Sequence, residues 1–394
     1  MKGEMPRRFE ELLVVEVAGS VAGGYAGKLF AGHGATVVLI EPPGGDPQRA
    51  VGEPLVGAGT LFAYLNTGKR SVCLDIETIT GSDLFRRLLE RADVVIESSS
   101  PGPLMPVTAD AAEERLIKLY VSPFGLTGPY SEYSSTPFTD YAAGGQMFVT
   151  GEPHREPIQG AGRQPEYAAG TYGFIATMAA LLYRDRGGTG QTIDVSHMEA
   201  MASMHQWTSV KYTHTGTIER RIGNRYSSSH PITIYPCKDG HVAVSAASDP
   251  AADRFLSVIG FGHLLADPRF ATGLDRLEHA DEFDAEILPW LMQHSADEIV
   301  SIAQEVRVPV GPVPGMLELL RDPHLAAREF WDTVETDGRS LHYPGPPFKL
   351  SRHAWQPAAP PRIGADTSAV LSGLGAGSLD ALRQARVTRE SADG

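Results

Sequence analysis

Two cysteines in 394 residues, Cys73 and Cys237, are too few for a disulfide framework or a Cys-rich zinc site. Both are expected as buried thiols in a reducing compartment. Basic residues are scarce as well: 34 Lys and Arg stand against 48 Asp and Glu, a formal charge of −14. That balance argues against nucleic acid or an anionic membrane as the main partner, since both would be repelled. No apolar run approaches the roughly 20 residues of a bilayer crossing, and the longest, residues 171–183, stops well short. The opening MKGEMPRRFEE lacks the apolar centre of a signal peptide, so a cytoplasmic location is expected. His197, His205 and His214 show no H-x-x-x-H or H-E-x-x-H spacing, and no G-x-S-x-G elbow occurs, so neither a metal site nor a serine hydrolase is indicated.

The chain is otherwise that of a folded protein, 42% apolar and 21% charged, with 42 Gly and 29 Pro to serve many turns. Residues 12–17, 36–40, 71–74 and 94–96 are short β-branched runs, and helical patterns at 25–33 and 82–92 lie between them. Continuous apolar strands separated by helices predict a parallel sheet covered on both faces, a doubly wound α/β unit. Further on, a small-residue helix at 170–183 precedes a strand at 192–195. Two strands around the turn Lys238-Asp239-Gly240 predict a hairpin, and the helical segments after it complete a smaller α+β domain.

Strand, Gly-rich turn, helix, strand and then Glu41 is the order of a dinucleotide-binding opening, in which glycines admit a pyrophosphate and the acid binds ribose. The turn, Gly19-Ser20-Val21-Ala22-Gly23-Gly24, lacks the G-x-G-x-x-G spacing. It reads as a structural turn, as does the Gly-rich segment 373–377.

Several segments are more specific together. VAGGYAGKLFAGHGATVVLIEPPGGDPQR, LNTGKRSVCLDI, RADVVIESSSPGPL, YVSPFGLTGPY and GTYGFIATMAALLYRDRGGTGQTIDVSHMEA are followed in order by YPCKDGHVAV, DPRFAT and VRVPVGPV. In this order the chain resembles the family III CoA-transferases, from about residue 12 to 385. The resemblance implies a Rossmann-like large domain built from both chain ends (1–205 and 325–394), linkers at 206–230 and 309–324, and a small α+β domain at 231–308. It also implies a homodimer of interlocked rings. Acyl-CoA and a small carboxylic acid are the implied partners, with coenzyme A as substrate, no tightly bound cofactor and no metal.

The family's catalytic aspartate corresponds here to Glu166, just before the small-residue helix. A carboxylate there attacks the thioester to form an anhydride and then an enzyme-bound thioester. Pro165 suits a first helical turn, and a helix N-terminus favours a carboxylate's charge. The resemblance puts Val21 where relatives often carry a polar residue, and Ser98 and Ser99 where they carry Asn-Phe. Pro42 and Pro106 stand where some relatives place arginines. Lys69 and Arg70, with Arg49, are the basic candidates for CoA phosphates, while Thr136, Asp140, Tyr141 and Gly170 are candidates for the substrate pocket. The racemase branch of the family has a histidine near the position of Thr136. None occurs between His33 and His154, which disfavours that chemistry and leaves Asp140 or Tyr141 as an unorthodox partner. Glu in place of Asp also leaves open a catalytically silent subunit of a heteromeric enzyme.

Overall fold

The structure is a computed structural model that describes residues 9–389 apart from 18, 53, 56–57, 99–113 and 337. Its described residues form two compact units. The first draws on Met1–Gln146, Gln159–Val210 and Ala326–Gly394, the second on Met147–Ile158 and Lys211–Leu325.

In the first unit β1 (Leu13–Val17), α1 (Val21–Gly32) and β2 (Thr36–Glu41) are followed by α2 (Thr60–Leu65), β3 (Arg70–Cys73), α3 (Ile79–Leu89) and β4 (Val94–Glu97). Then come β5 (Ile117–Ser122), α4 (Pro137–Ala143), the long α5 (Gln164–Asp185), β6 (Thr192–Ser196) and α6 (His197–Ala202). The sheet runs β3-β2-β1-β4-β5-β6, with every neighbour parallel. Successive strand residues point to opposite faces, and both faces are covered. Val14 packs with Leu29, Phe30 and Phe174, whereas Val15 packs with Val72, Leu84 and Phe85. Leu371, from a helix near the C-terminus (Thr367–Gly373), belongs to this second core, so both ends of the chain build the unit.

The order reverses at β1: the chain first lays β2 and β3 on one side, then β4, β5 and β6 on the other. In open α/β sheets such a reversal leaves a crevice at the carboxyl ends of the diverging strands, where ligands bind.

The second unit is built on the expected hairpin, β7 (Ile232–Cys237) and β8 (Gly240–Ser245). Tyr235, Val242 and Val244 face a core with α7 (Asp249–Val258), α8 (Ala280–Leu291) and α9 (Ala296–Glu305). A third strand, β9 (Val310–Pro312), pairs antiparallel with β8. The segments read as linkers are therefore partly built into structure. Residues 206–230 include a helix (Gln206–Thr215), and 309–324 supply β9. The β8–β9 pairing joins residues nearly seventy apart, which local periodicity does not reveal. Among the described residues no helix is long and apolar enough to cross a membrane.

Candidate active site

α5 begins at Gln164, six residues before the small-residue run that marked it in the sequence, so Glu166 is its third residue. Pro165 occupies the second position, where its missing N–H costs no hydrogen bond. Glu166 is buried, 6% exposed, and the half-exposed Arg163 donates from Nη1 to its Oε2 at 3.0 Å. Oε1 accepts from no described residue. One carboxylate oxygen is thus held and the other is available, at the positive end of a 22-residue helix.

α1 brings the neighbouring groups. Ser20 caps it by accepting from the Gly23 N–H, and its own N–H donates to Ser98 Oγ at 3.1 Å. A Cβ on Gly23 would lie 2.2 Å from that oxygen, so only glycine fits. Val21 and Ser98, both buried, therefore share one corner at the carboxyl ends of β1 and β4. Gly170 brings α5 to the same corner: a Cβ there would lie 2.5 Å from the Ala22 carbonyl oxygen. Gly170 is thus a close helix–helix contact. Gly170→Ala is expected to lower stability by about 1–3 kcal/mol, because the clash is with backbone that cannot rotate away. Urea unfolding of the variant checks this. Ser99 and Pro106 lie outside the described residues, and Pro42 is exposed in the turn after β2.

Tyr167, next to Glu166, meets Tyr25 edge-on at 4.9 Å and Tyr64 at 6.4 Å. Burial pushes all three phenols up, so they remain protonated donors at neutral pH. Lys28 Nζ lies 4.4 Å over the Tyr64 ring and donates to Thr67 Oγ1 at 2.7 Å. Burial lowers its pKa to about 8. The unfolded chain then binds a proton that the native chain lacks between about pH 8 and 10.5, so this lysine's contribution to stability rises with pH in that window. Lys28→Met is expected to stabilise the protein at pH 7 by up to about 3 kcal/mol, less the lost contact with the ring, and the gain should vanish near pH 10. Chemical denaturation at the two pH values measures it.

The basic candidates divide. Lys69 does not face a phosphate path. Its ammonium is wholly buried, 2.6 Å and 2.9 Å from the two Glu16 oxygens and 2.9 Å from the Gly24 carbonyl oxygen. Arg49 is likewise engaged: Nε and Nη2 donate to Glu41 at 2.7 Å each, and its guanidinium stacks 3.8 Å from the Phe62 ring. Glu41 also accepts from Ser71 Oγ and the Asp46 N–H, so it offers no open oxygen to a ribose. Arg70 is exposed and has no ion-pair partner among the described residues, which leaves it as the available cation of the three.

Thr136 is exposed and caps α4 in a reciprocal capping box with Thr139. Tyr141, on α4, holds its hydroxyl where a Cβ on Gly160 would be 3.0 Å away, beside Gln164 of α5. Asp140 pairs with His197, the first residue of α6, with Oδ2 to Nδ1 at 2.8 Å. The histidine spacing in the sequence assigns His197 no role. Nothing in a spacing of 57 residues signals the pair, which only the packing of α4 against α6 creates. His154 is exposed.

With this geometry in view, comparison with known proteins is decisive. The family model described as "CoA-transferase family III" matches residues 9–367. The chain belongs to CoA-transferase family III. Family III relatives include the succinyl-CoA–D-citramalate CoA-transferase of Chloroflexus aurantiacus, 34% identical over 82% of this chain and 83% of that protein. The succinate–glutarate CoA-transferase of Agrobacterium fabrum is 30% identical over 94% and 97%. Among solved structures, a CaiB/BaiF family protein from Brucella suis matches with a TM-score of 0.85 and 29% identity, covering 94% of this chain and all of that one.

Proposed function

We propose that this chain moves CoA from an acyl-CoA donor to a carboxylic acid through a covalent intermediate on Glu166. Family membership supports acyl-CoA and carboxylate as the substrates. The observation that carries the mechanism is the buried Glu166 carboxylate with one oxygen held by Arg163, at the N-terminus of α5. Succinyl-CoA is the proposed donor and a dicarboxylic acid the proposed acceptor, in keeping with relatives named for succinyl-CoA with D-citramalate and for succinate with glutarate.

In the first step a Glu166 oxygen bonds to the thioester carbonyl carbon, the C–S bond breaks, and CoA leaves as thiolate with an acyl–glutamyl anhydride behind it. The thiolate then attacks the glutamyl carbonyl, releasing the donor acid and leaving CoA on Glu166 as a thioester. The acceptor carboxylate repeats the two steps in reverse. Each step exchanges one oxygen–carbon or sulfur–carbon bond for another, so no proton is gained or lost overall. The positive end of α5 favours the anion that attacks and the oxyanions that form beside it. Arg70 is proposed toward the CoA phosphates, and the corner formed by Val21 and Ser98 toward the pantetheine arm.

Self-association is part of the proposal. α5 exposes an apolar stripe of Tyr172, Ile175, Leu182 and Tyr183, with Trp207 66% exposed as well. Exposed apolar residues in such a row support an interface with a second copy. A homodimer in light scattering is the expected result.

The decisive experiment mixes the chain with succinyl-CoA and quenches with hydroxylamine or borohydride. Mass spectrometry should find modification at Glu166, and unmodified Glu166 with a donor that is turned over would refute the mechanism. A relative from Thauera aromatica, 32% identical, is named as a subunit, BbsE, of a succinyl-CoA:(R)-benzylsuccinate CoA-transferase. That name favours a second reading, a chain that acts only with a paralogous partner, and activity of this chain alone excludes it.

A further inference from the structure

The Asp140–His197 pair is more deeply enclosed than its chemistry requires. Asp140 is 1% exposed and His197 4%. Asp140 Oδ2 takes the Nδ1 side of the ring, while His197 Nε2 and Asp140 Oδ1 find no partner among the described residues. A buried polar atom left unpaired costs about 1–3 kcal/mol, so native proteins keep such atoms where something binds them. Here there are two on one pair.

Their position suggests what binds. α4 and α6 follow β5 and β6, so the pair stands past the carboxyl ends of those strands, the same edge as the β1–β4 crevice. Both helices pack on α5, and Tyr141, the next residue after Asp140, places its hydroxyl against Gly160, which Gln164, from the turn that carries Glu166, also approaches. The two-step reaction itself moves no proton, so a histidine is not needed for the chemistry on Glu166. A group that distinguishes one acid from another is needed if the substrates carry a second carboxylate.

We infer that His197, held by Asp140, is a specificity-determining residue whose Nε2 hydrogen-bonds the remote carboxylate of a dicarboxylic substrate. With Asp140 on Nδ1, Nε2 is the ring atom left to meet the substrate's carboxylate. A monocarboxylate of equal length leaves Nε2 unpaired and is rejected, because the site then keeps a buried polar atom without a partner. The inference rests on the CoA-transfer reading above.

The test compares kcat/KM for glutarate and for pentanoate as acceptors, with succinyl-CoA as donor. His197→Asn keeps an amide N–H near Nδ1 for Asp140 but has nothing at the Nε2 position. The preference for glutarate should fall about 10–100-fold in this variant, the size of a hydrogen bond to a charged group. His197→Gln carries its amide near Nε2 and should keep most of the preference while weakening the Asp140 contact. An unchanged preference in His197→Asn, or an equal loss toward both acceptors, overturns the inference and makes the pair a scaffold. If His197→Asn fails to fold, a lost preference in folded His197→Gln overturns it instead. Wild-type protein that labels Glu166 yet shows no preference for glutarate also refutes it. Wild-type protein that neither labels Glu166 nor transfers CoA refutes the functional reading and this inference with it.

Discussion

Glu166→Gln is expected to lower CoA transfer by about 10,000-fold or more, with no covalent adduct after mixing with donor. The amide keeps the size of the side chain and can still meet Arg163, so the fold should be preserved and the loss should appear in kcat rather than in donor binding. An amide oxygen is too weak a nucleophile to open a thioester, and no other carboxylate stands in the first turn of α5. Glu166→Asp is the informative companion. Shortening the side chain withdraws the attacking oxygen by about 1 Å, a displacement that can cost about 100-fold. If the pocket is shaped for glutamate, the aspartate variant should be slow although it restores the usual residue of the family. A faster aspartate variant would show that the site still has the geometry of its relatives and that this chain works below its capacity. Single-turnover kinetics with acyl-CoA, read by mass spectrometry at Glu166, distinguishes the two.

Lys69→Met is expected to destabilise the first unit by about 3–5 kcal/mol, the cost of leaving one member of a buried ion pair without its partner. Glu16 and Lys69 are enclosed, and burial raises the acid and lowers the amine against their mutual attraction. A Cβ on Gly27 would lie 1.8 Å from Glu16 Oε2, so the glycine itself makes room for the carboxylate. Without Lys69, Glu16 must bury a charge or take up a proton. Its pKa in the folded variant then lies above that in the unfolded chain, so the native state binds the extra proton and stability falls as pH rises between the two values. The deficit should therefore be smaller at pH 5 than at pH 8. Glu16→Gln with Lys69→Met should recover part of the loss, since no buried charge is left. Urea melts at both pH values read all three variants. Equal deficits at pH 5 and pH 8 would mean that packing, not charge, is what Lys69 supplies.

The two basic residues of LNTGKR show how far the sequence could be read. Lys69 and Arg70 are neighbours with the same charge, and no local pattern separates them. Arg70 begins β3 with its side chain exposed, whereas Lys69 turns inward to an acid 53 positions earlier. Glu41 and Arg49 tell the same story: each had a ligand role open to it from its position, and each is satisfied by the other. Glu166 was legible because proline at the start of a helix and a following run of small residues are local signals, and the family resemblance marked the residue itself. The start of α5 was less so, since helix boundaries depend on the loop that precedes them.

Sequence alone determined the parallel sheet, the hairpin around Lys238 and Asp239, and the family, because apolar periodicity, turn residues and motif order are properties of neighbours in the chain. Tertiary structure decided which charges are used up inside the protein and which stay available. It joined Asp140 to His197 and Glu16 to Lys69, and it pressed Gly170 against Ala22 at the crevice. Those contacts bring together residues 50 or more positions apart, and their energy depends on burial and distance, which a linear order of residues does not contain.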